Sequence, residues 1–206
     1  MKLYYSNSSP YSRKVRLVIA IKGLEKQVDS LLINPFEDKE KLRAINPLGK
    51  IPVLLLKNNE VLFDSPVICH YLDTLCEDKR LIPEKGWQKW MVLRWEALAD
   101  GLLDAAYNLV MERRRPTSEQ SMTAISQWAE EIQQVLHEME VRYHELDGNI
   151  TLAHLAVGTA IGYLDFRLPD LLYTSSCPQT ATSPNLLSWY EAFKSQPFMQ
   201  ITKPIN

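Results

Sequence analysis

Cysteine is scarce in this 206-residue chain: Cys69, Cys76 and Cys177 are an odd number without metal-ligand spacing. Neither a disulfide framework nor a metal site is therefore expected, and a reducing, cytoplasmic location fits such usage. Long apolar runs are lacking too. The one near the start, residues 15–21, is crowded by Arg13, Lys14 and Arg16 and closed by Lys22. It is too short to cross a bilayer and lacks the small-residue cleavage site of a signal peptide, so no membrane association is expected. Charge of one sign is missing as well. Lys+Arg 23 against Asp+Glu 25 leaves a net charge of -2, which supplies no field to draw in nucleic acid or an anionic surface. Gly and Pro are too few for disorder, and 46% hydrophobic with 23% charged residues is ordinary for a folded globular protein.

What is there follows two grammars. Over residues 1–78 short apolar runs alternate with helical patterns. Residues 2–5 read as a strand, 11–22 as a buried helix stopped by Gly23, and 28–33 as a second strand. Residues 37–45 read as a helix ended by Asn46-Pro47, 51–56 and 60–63 as a hairpin, and 66–75 as a further helix. The order β-α-β-α-β-β-α predicts a small mixed α/β sheet domain with helices on its faces. Over residues 87–206 the apolar spacing becomes helical, in 87–113, 118–146 and 152–166, and no strand signal returns. The expectation there is an all-α domain. Thr117-Ser118-Glu119-Gln120 reads as a capping box between the first two long helices. Residues 174–184 read as a Ser/Thr/Pro-rich loop, and 186–194 as one last helix before a polar tail.

Three local patterns carry chemistry. Ser8-Ser9-Pro10-Tyr11-Ser12-Arg13 lies where the first strand ends and the first helix begins. A helix N-terminus favours an anion, a thiolate included, by about 0.3–1 kcal/mol. Ser9 does not ionise near neutral pH, so it would act by donating its hydroxyl hydrogen to a ligand sulfur; the ordinary alternative is a helix cap. In Gly49-Lys50-Ile51-Pro52-Val53-Leu54 a proline opens an apolar strand. A cis bond there would turn the N–H and C=O of Ile51 outward to pair with an extended peptide, against the alternative of a trans proline starting a strand. In Asp64-Ser65-Pro66, Ser65 as N-cap and Pro66 at N1 would hold a carboxylate while Asp64 faces an ammonium group, the two charges of an α-amino acid. The ordinary alternative is a capped helix with a solvated Asp64.

In this order and spacing the three patterns resemble the cytosolic glutathione S-transferase family, in its bacterial serine-type form, and the likeness runs over essentially the whole chain. Asn46-Pro47-Leu48-Gly49-Lys50-Ile51-Pro52 followed by Asp64-Ser65 is its specific part. The resemblance implies a thioredoxin-like glutathione-binding domain, 1–78, and an all-helical domain with an electrophile pocket, 87–206. Ser9 would contact the glutathione sulfur, Ile51 before a structural cis-proline, Pro52, would pair with the cysteinyl backbone, and Asp64-Ser65 would grip the γ-glutamyl end. Glutathione is the expected co-substrate, a small electrophile the second partner, a homodimer the assembly, and no metal is involved. Redox relatives in the wider thioredoxin-like group carry Cys-Pro-Tyr-Cys where this chain has Ser9-Pro10-Tyr11-Ser12, and without a thiolate no mixed-disulfide relay is available at that position.

Alternatives stay open. The same site suits a glutathione-dependent peroxidase or isomerase, and a non-catalytic interaction protein of the stringent starvation type shares the fold. Tyr11, Tyr107 and Met111 are candidates for the electrophile pocket, with core packing as the plain reading. Arg113-Arg114-Arg115 suggests attraction for an anionic co-substrate or a complement to a helix C-terminus. Asp100 is a candidate to reach the γ-glutamyl amine across a dimer interface, as in some classes. One departure from the family pattern is Thr151-Leu152-Ala153-His154, where Ser/Thr-x-x-Asp is usual. His154 cannot supply a carboxylate, and the expectation is a structural residue with a weaker helix start.

Overall fold

Alternation in β1 (Lys2–Tyr5) turns Leu3 fully into the core, and the chain then enters α1 (Pro10–Lys22), which buries Val15, Leu17, Val18 and Ile19. The computed structural model of the protein describes residues 1–173 and 183–205. α1 stops where the sequence predicts: Gly23 takes φ +67°, its N–H donates to Ala20 O, and the Leu24 N–H donates to Ile19 O. Both bonds satisfy carbonyls that the last turn would leave open.

The chain continues through β2 (Asp29–Leu32), α2 (Lys39–Ile45), β3 (Val53–Leu55), β4 (Val61–Leu62) and α3 (Ser65–Thr74), the predicted order. The sheet order is β2-β1-β3-β4, with β1 parallel to β2 and antiparallel to β3, and β3 antiparallel to β4. This is a thioredoxin-like arrangement. The third strand starts at Val53 instead of 51 because Pro52 has no N–H to give the ladder. α3 begins one residue earlier than expected, so Asp64 is the N-cap, Ser65 stands at N1 and Pro66 at N2.

Lys22, at the end of α1, donates its Nζ to Asp73 Oδ1 at 2.9 Å, to the Asp73 carbonyl at 2.7 Å and to the Cys76 carbonyl at 2.6 Å. Asp73 in turn accepts the N–H groups of Leu81 and Ile82 at 2.8 and 3.1 Å. A buried charge is tolerated only when paired and hydrogen-bonded, and this pair ties α1, α3 and the chain that follows α3 into one piece.

The remaining elements are helical: α4 (Trp87–Arg113), α5 (Met122–Arg142), α6 (Leu152–Arg167), α7 (Pro169–Leu172), α8 (Pro184–Lys194) and α9 (Pro197–Ile201). α6 is the central helix of its unit, with every residue from Leu152 through Leu164 buried. Two compact units result, Met1–Val92 with Pro197–Asn206, and Leu93–Gln196.

That division is drawn at other residues than the expected domains of 1–78 and 87–206. It falls inside α4, and the last ten residues join the sheet unit, because Arg13 of α1 donates to the Met199 carbonyl at 3.1 Å and to Thr202 Oγ1 at 3.5 Å. The expected polar tail accordingly contains α9. The capping box at Thr117 is corrected as well: Thr117–Glu119 form a 3-10 turn, and α5 starts behind Ser121, whose Oγ accepts the Ala124 N–H at 3.3 Å. The Glu112 carboxylate, from α4, accepts the Ser121 N–H at 2.7 Å and so favours the later start.

His154 does more than was expected of it. Its Nδ1 accepts the Thr151 N–H at 3.1 Å while the Thr151 side chain takes the N3 backbone N–H, which completes a capping box with an imidazole in the place of a carboxylate. The start of α6 thus has both capping-box hydrogen bonds. The proton stays on Nε2, which donates to the Leu146 carbonyl at 2.7 Å. Residues 174–182, with Cys177, lie outside the described residues, as does most of the predicted Ser/Thr/Pro-rich loop.

Candidate active site at one end of the sheet

Register places the three predicted patterns. Tyr4 pairs with Val53, so the chain leaving β1 toward Ser9 and the chain entering β3 through Ile51 and Pro52 emerge from the same end of the sheet. Leu54 pairs with Leu62 in the antiparallel β3–β4 ladder, so the exit of β4 into Asp64 and Ser65 lies at that end too. Three segments far apart in sequence thus share one edge of the first unit.

Ser9 is the N-cap of α1, at φ -77° and ψ 120°, and its Oγ accepts the Ser12 N–H at 3.2 Å. Capping uses a lone pair of the hydroxyl and leaves its hydrogen to donate elsewhere. The two readings of Ser9, cap and donor, are therefore compatible. Ser12, in the second position where redox relatives carry cysteine, is fully buried.

The segment before Pro52 is shaped by Asn46, itself buried. Its side chain accepts the Leu48 N–H at 3.0 Å and donates to the Lys50 carbonyl at 2.7 Å. Gly49 takes φ +61°, a conformation that an L side chain adopts only with strain. The Ile51–Pro52 peptide is cis, and Ile51 stands half-buried just outside the ladder, which opens at Val53. Asp64 is exposed, follows a cis peptide after Phe63, and makes no side-chain cap bond, so its carboxylate stays available at the positive end of α3. Ser65 is buried at the first helical position, and its N–H is among those that the helix leaves open.

The other candidates divide between the units. Tyr11 lies half-buried on α1, whereas Tyr107, 39% exposed, and Met111 stand one turn apart on α4 in the second unit. Asp100 is half-buried on α4, and Cys69 is buried in α3. Among the described residues no group of three or more His, Cys, Asp or Glu could hold a metal ion, and no helix is long and apolar enough to cross a membrane.

Sequence reading passed over the second peptide at the site that departs from trans, Phe63–Asp64, for which no residue type signals.

Known proteins with the same features fall together. Residues 8–75 match the family model of the glutathione S-transferase N-terminal domain, which spans all three patterns. The uncharacterized GST-like protein YibF of Escherichia coli K12 is 34% identical over 172 residues, covering 81% of this chain and 83% of that one. A glutathione S-transferase of Methylobacillus flagellatus KT, solved with glutathione bound, is 39% identical with a TM-score of 0.88, covering 99% of both chains. A glutathione transferase family member from Pseudomonas fluorescens Pf-5, also with bound glutathione, is 34% identical with a TM-score of 0.90, covering 100% of this chain and 99% of that one. With the sheet order, the helical second unit and this likeness over nearly the full length, the chain belongs to the glutathione S-transferase family.

Proposed function

We propose that this chain binds glutathione along the shared end of its sheet and activates the thiol at Ser9 for transfer to a small electrophile. The observation that carries the reading is the state of the Ser9 hydroxyl: its oxygen is engaged by the Ser12 N–H, which fixes its place at the mouth of α1 and leaves the O–H to donate. A hydrogen bond to a charged acceptor is worth about 1.5–3 kcal/mol. At about 1.36 kcal/mol per pKa unit, that would lower a bound thiol by roughly one to two units from its ordinary ~8.5. The amide groups opening α1 add to the effect.

Dimension supports the rest. Adjacent strands lie about 4.8 Å apart, so β1 to β4 spans roughly 10 Å, the length of an extended tripeptide at about 3.3–3.6 Å per residue. In this reading the sulfur lies at Ser9, the cysteinyl backbone pairs with Ile51 in front of Pro52, and the γ-glutamyl group is held at the far strand. There Asp64 takes the ammonium and the Ser65 N–H the carboxylate. The thiol proton passes to solvent, the sulfur forms a bond to an electrophilic carbon, and a leaving group departs with its electron pair, or the electrons of an activated alkene take up a proton from water. A two-fold homodimer belongs to the same proposal, as the resemblance implies.

The test is a titration of the thiolate absorbance of bound glutathione in wild type, Ser9→Gly and Ser9→Ala. The expected result is a depressed pKa that returns toward the free value in both variants. An unshifted wild-type value would overturn thiol activation, and absence of any binding in calorimetry would favour the non-catalytic alternative.

A further inference from the structure

Two arginines of α1 reach the last helix of the chain, and both stand behind Ser9. Arg13 and Arg16 follow it by four and seven positions, a spacing that sets the three on one face of α1. The Arg13 N–H donates to the Ser9 carbonyl at 3.0 Å, the bond that opens the helix. Its side chain is buried, with Nη2 donating to the Met199 carbonyl at 3.1 Å and Nε to Thr202 Oγ1 at 3.5 Å. Thr202, itself buried, carries the contact further: its hydroxyl donates to the Phe198 carbonyl at 2.9 Å. Arg16 donates Nη2 to the Ile201 carbonyl at 3.3 Å, and its guanidinium carbon lies 4.9 Å from the centroid of the Tyr5 ring.

Tyr5 is the last residue of β1, and the Ser6-Asn7-Ser8 connection runs from it to Ser9. Arg16 therefore holds one end of this connection and Arg13 the other. Both are anchored on carbonyls in the last turn of α9, groups that a helix leaves open and that favour a cation. Enclosing a guanidinium costs free energy that an apolar side chain would not, and apolar packing of similar volume often serves stability as well or better. What charge-assisted hydrogen bonds add is a fixed direction and distance. The group whose place matters at this end of α1 is Ser9, since a displacement of about 1 Å at a reacting centre can cost about a hundredfold in rate.

We propose that α9 braces the Ser9 end of α1 through Arg13, a positioning residue, so that the last turn of the chain contributes to thiol activation by way of Ser9. The role in thiol activation rests on the transferase reading above; the brace on the helix start does not.

The experiment uses the full chain in four variants beside wild type. Arg13→Met removes the brace, Arg13→Lys keeps one ammonium in place of the planar fork, Thr202→Val leaves the arginine and takes away its hydroxyl acceptor, and Lys22→Met damages the same helix at its far end. Without glutathione, amide exchange at Ser12, whose N–H donates to Ser9 Oγ, and at position 13 reports opening of the helix start, with Leu17 in the middle of α1 as the reference. The exchange ratio is expected to rise about tenfold or more in Arg13→Met, by less in Thr202→Val and Arg13→Lys, and not in Lys22→Met. With glutathione, the bound thiol in Arg13→Met should titrate closer to the free value and kcat should fall about tenfold at unchanged affinity for glutathione, while Lys22→Met keeps the wild-type titration. A ratio unmoved by Arg13→Met, or moved as much by Lys22→Met, overturns the brace; if Arg13→Met does not fold, Thr202→Val decides in the same way. A faster-opening helix start whose bound thiol titrates as in wild type overturns the positioning role. If the start of α1 opens as expected while glutathione bound to wild type titrates like the free thiol, the brace stands and the transferase reading alone fails.

Discussion

At the scale of single residues, Ser9 caps α1 and in the proposed reading also donates to sulfur, and glycine separates the two roles. Ser9→Ala removes both the cap and the donor and is expected to cost about 1 kcal/mol of stability, whereas Ser9→Gly removes the donor at a cost of a few tenths. Both variants should lose about ten- to a hundredfold in kcat/KM, the counterpart of roughly 1.5–3 kcal/mol. Chemical denaturation run beside steady-state kinetics checks this; activity that follows stability and not the hydroxyl would contradict the role of Ser9.

His154 sets a pH dependence whose sign follows from its bonds. Burial lowers its pKa, against the raising influence of the Leu146 carbonyl and Asp147, and Nδ1 must stay unprotonated to accept the Thr151 N–H. The unfolded chain, with an ordinary value of about 6.5, then binds more protons than the folded one between that pH and the lowered value. The histidine's contribution to stability is complete above ~6.5 and is lost as the pH falls toward the folded pKa. His154→Gln keeps an acceptor at N3 and removes the titration. The difference in unfolding free energy between wild type and variant, followed by urea melts from pH 7.5 to pH 5, should change in favour of the variant as the pH falls; a constant difference would refute the assignment.

At the scale of elements, the ends of helices are fixed from a distance as well as locally. α1 opens and closes on its own residues, Ser9 and Gly23. α8 does not: the Glu140 carboxylate of α5 accepts the N–H groups of Asn185 and Leu186, at 3.2 and 2.9 Å, and the Ser183 hydroxyl bonds instead to the Leu136 carbonyl. The same holds for Lys22 and Asp73, side chains 0% and 2% exposed, which join two helices and the segment after them. Removing one member of such a pair typically costs about 3–5 kcal/mol. Lys22→Met should therefore lower the urea midpoint strongly. A shift like that of an exposed lysine would show that the pair is not structural.

At the scale of the whole molecule, the proposed dimer predicts a light-scattering mass of twice the 23.8 kDa chain; a mass of one chain at micromolar concentration would refute it. At this scale too, the limits of the linear reading become visible. The break into a sheet unit and a helical unit was legible, because a period of two gives way to a period of 3.6. That residues 197–206 return to the sheet unit was not, since the reason is Arg13, nearly two hundred positions earlier.

For the site, the sequence by itself determined which groups were on offer: a serine before Pro10, a proline opening a strand at position 52, an acid and a serine at the head of a helix. Local rules sufficed because caps, breakers and turn residues act on their immediate neighbours. Only the tertiary structure decided that β1, β3 and β4 present those groups at one end of one sheet. Strand register and helix facing are settled by which apolar faces bury together, and no single segment carries that choice.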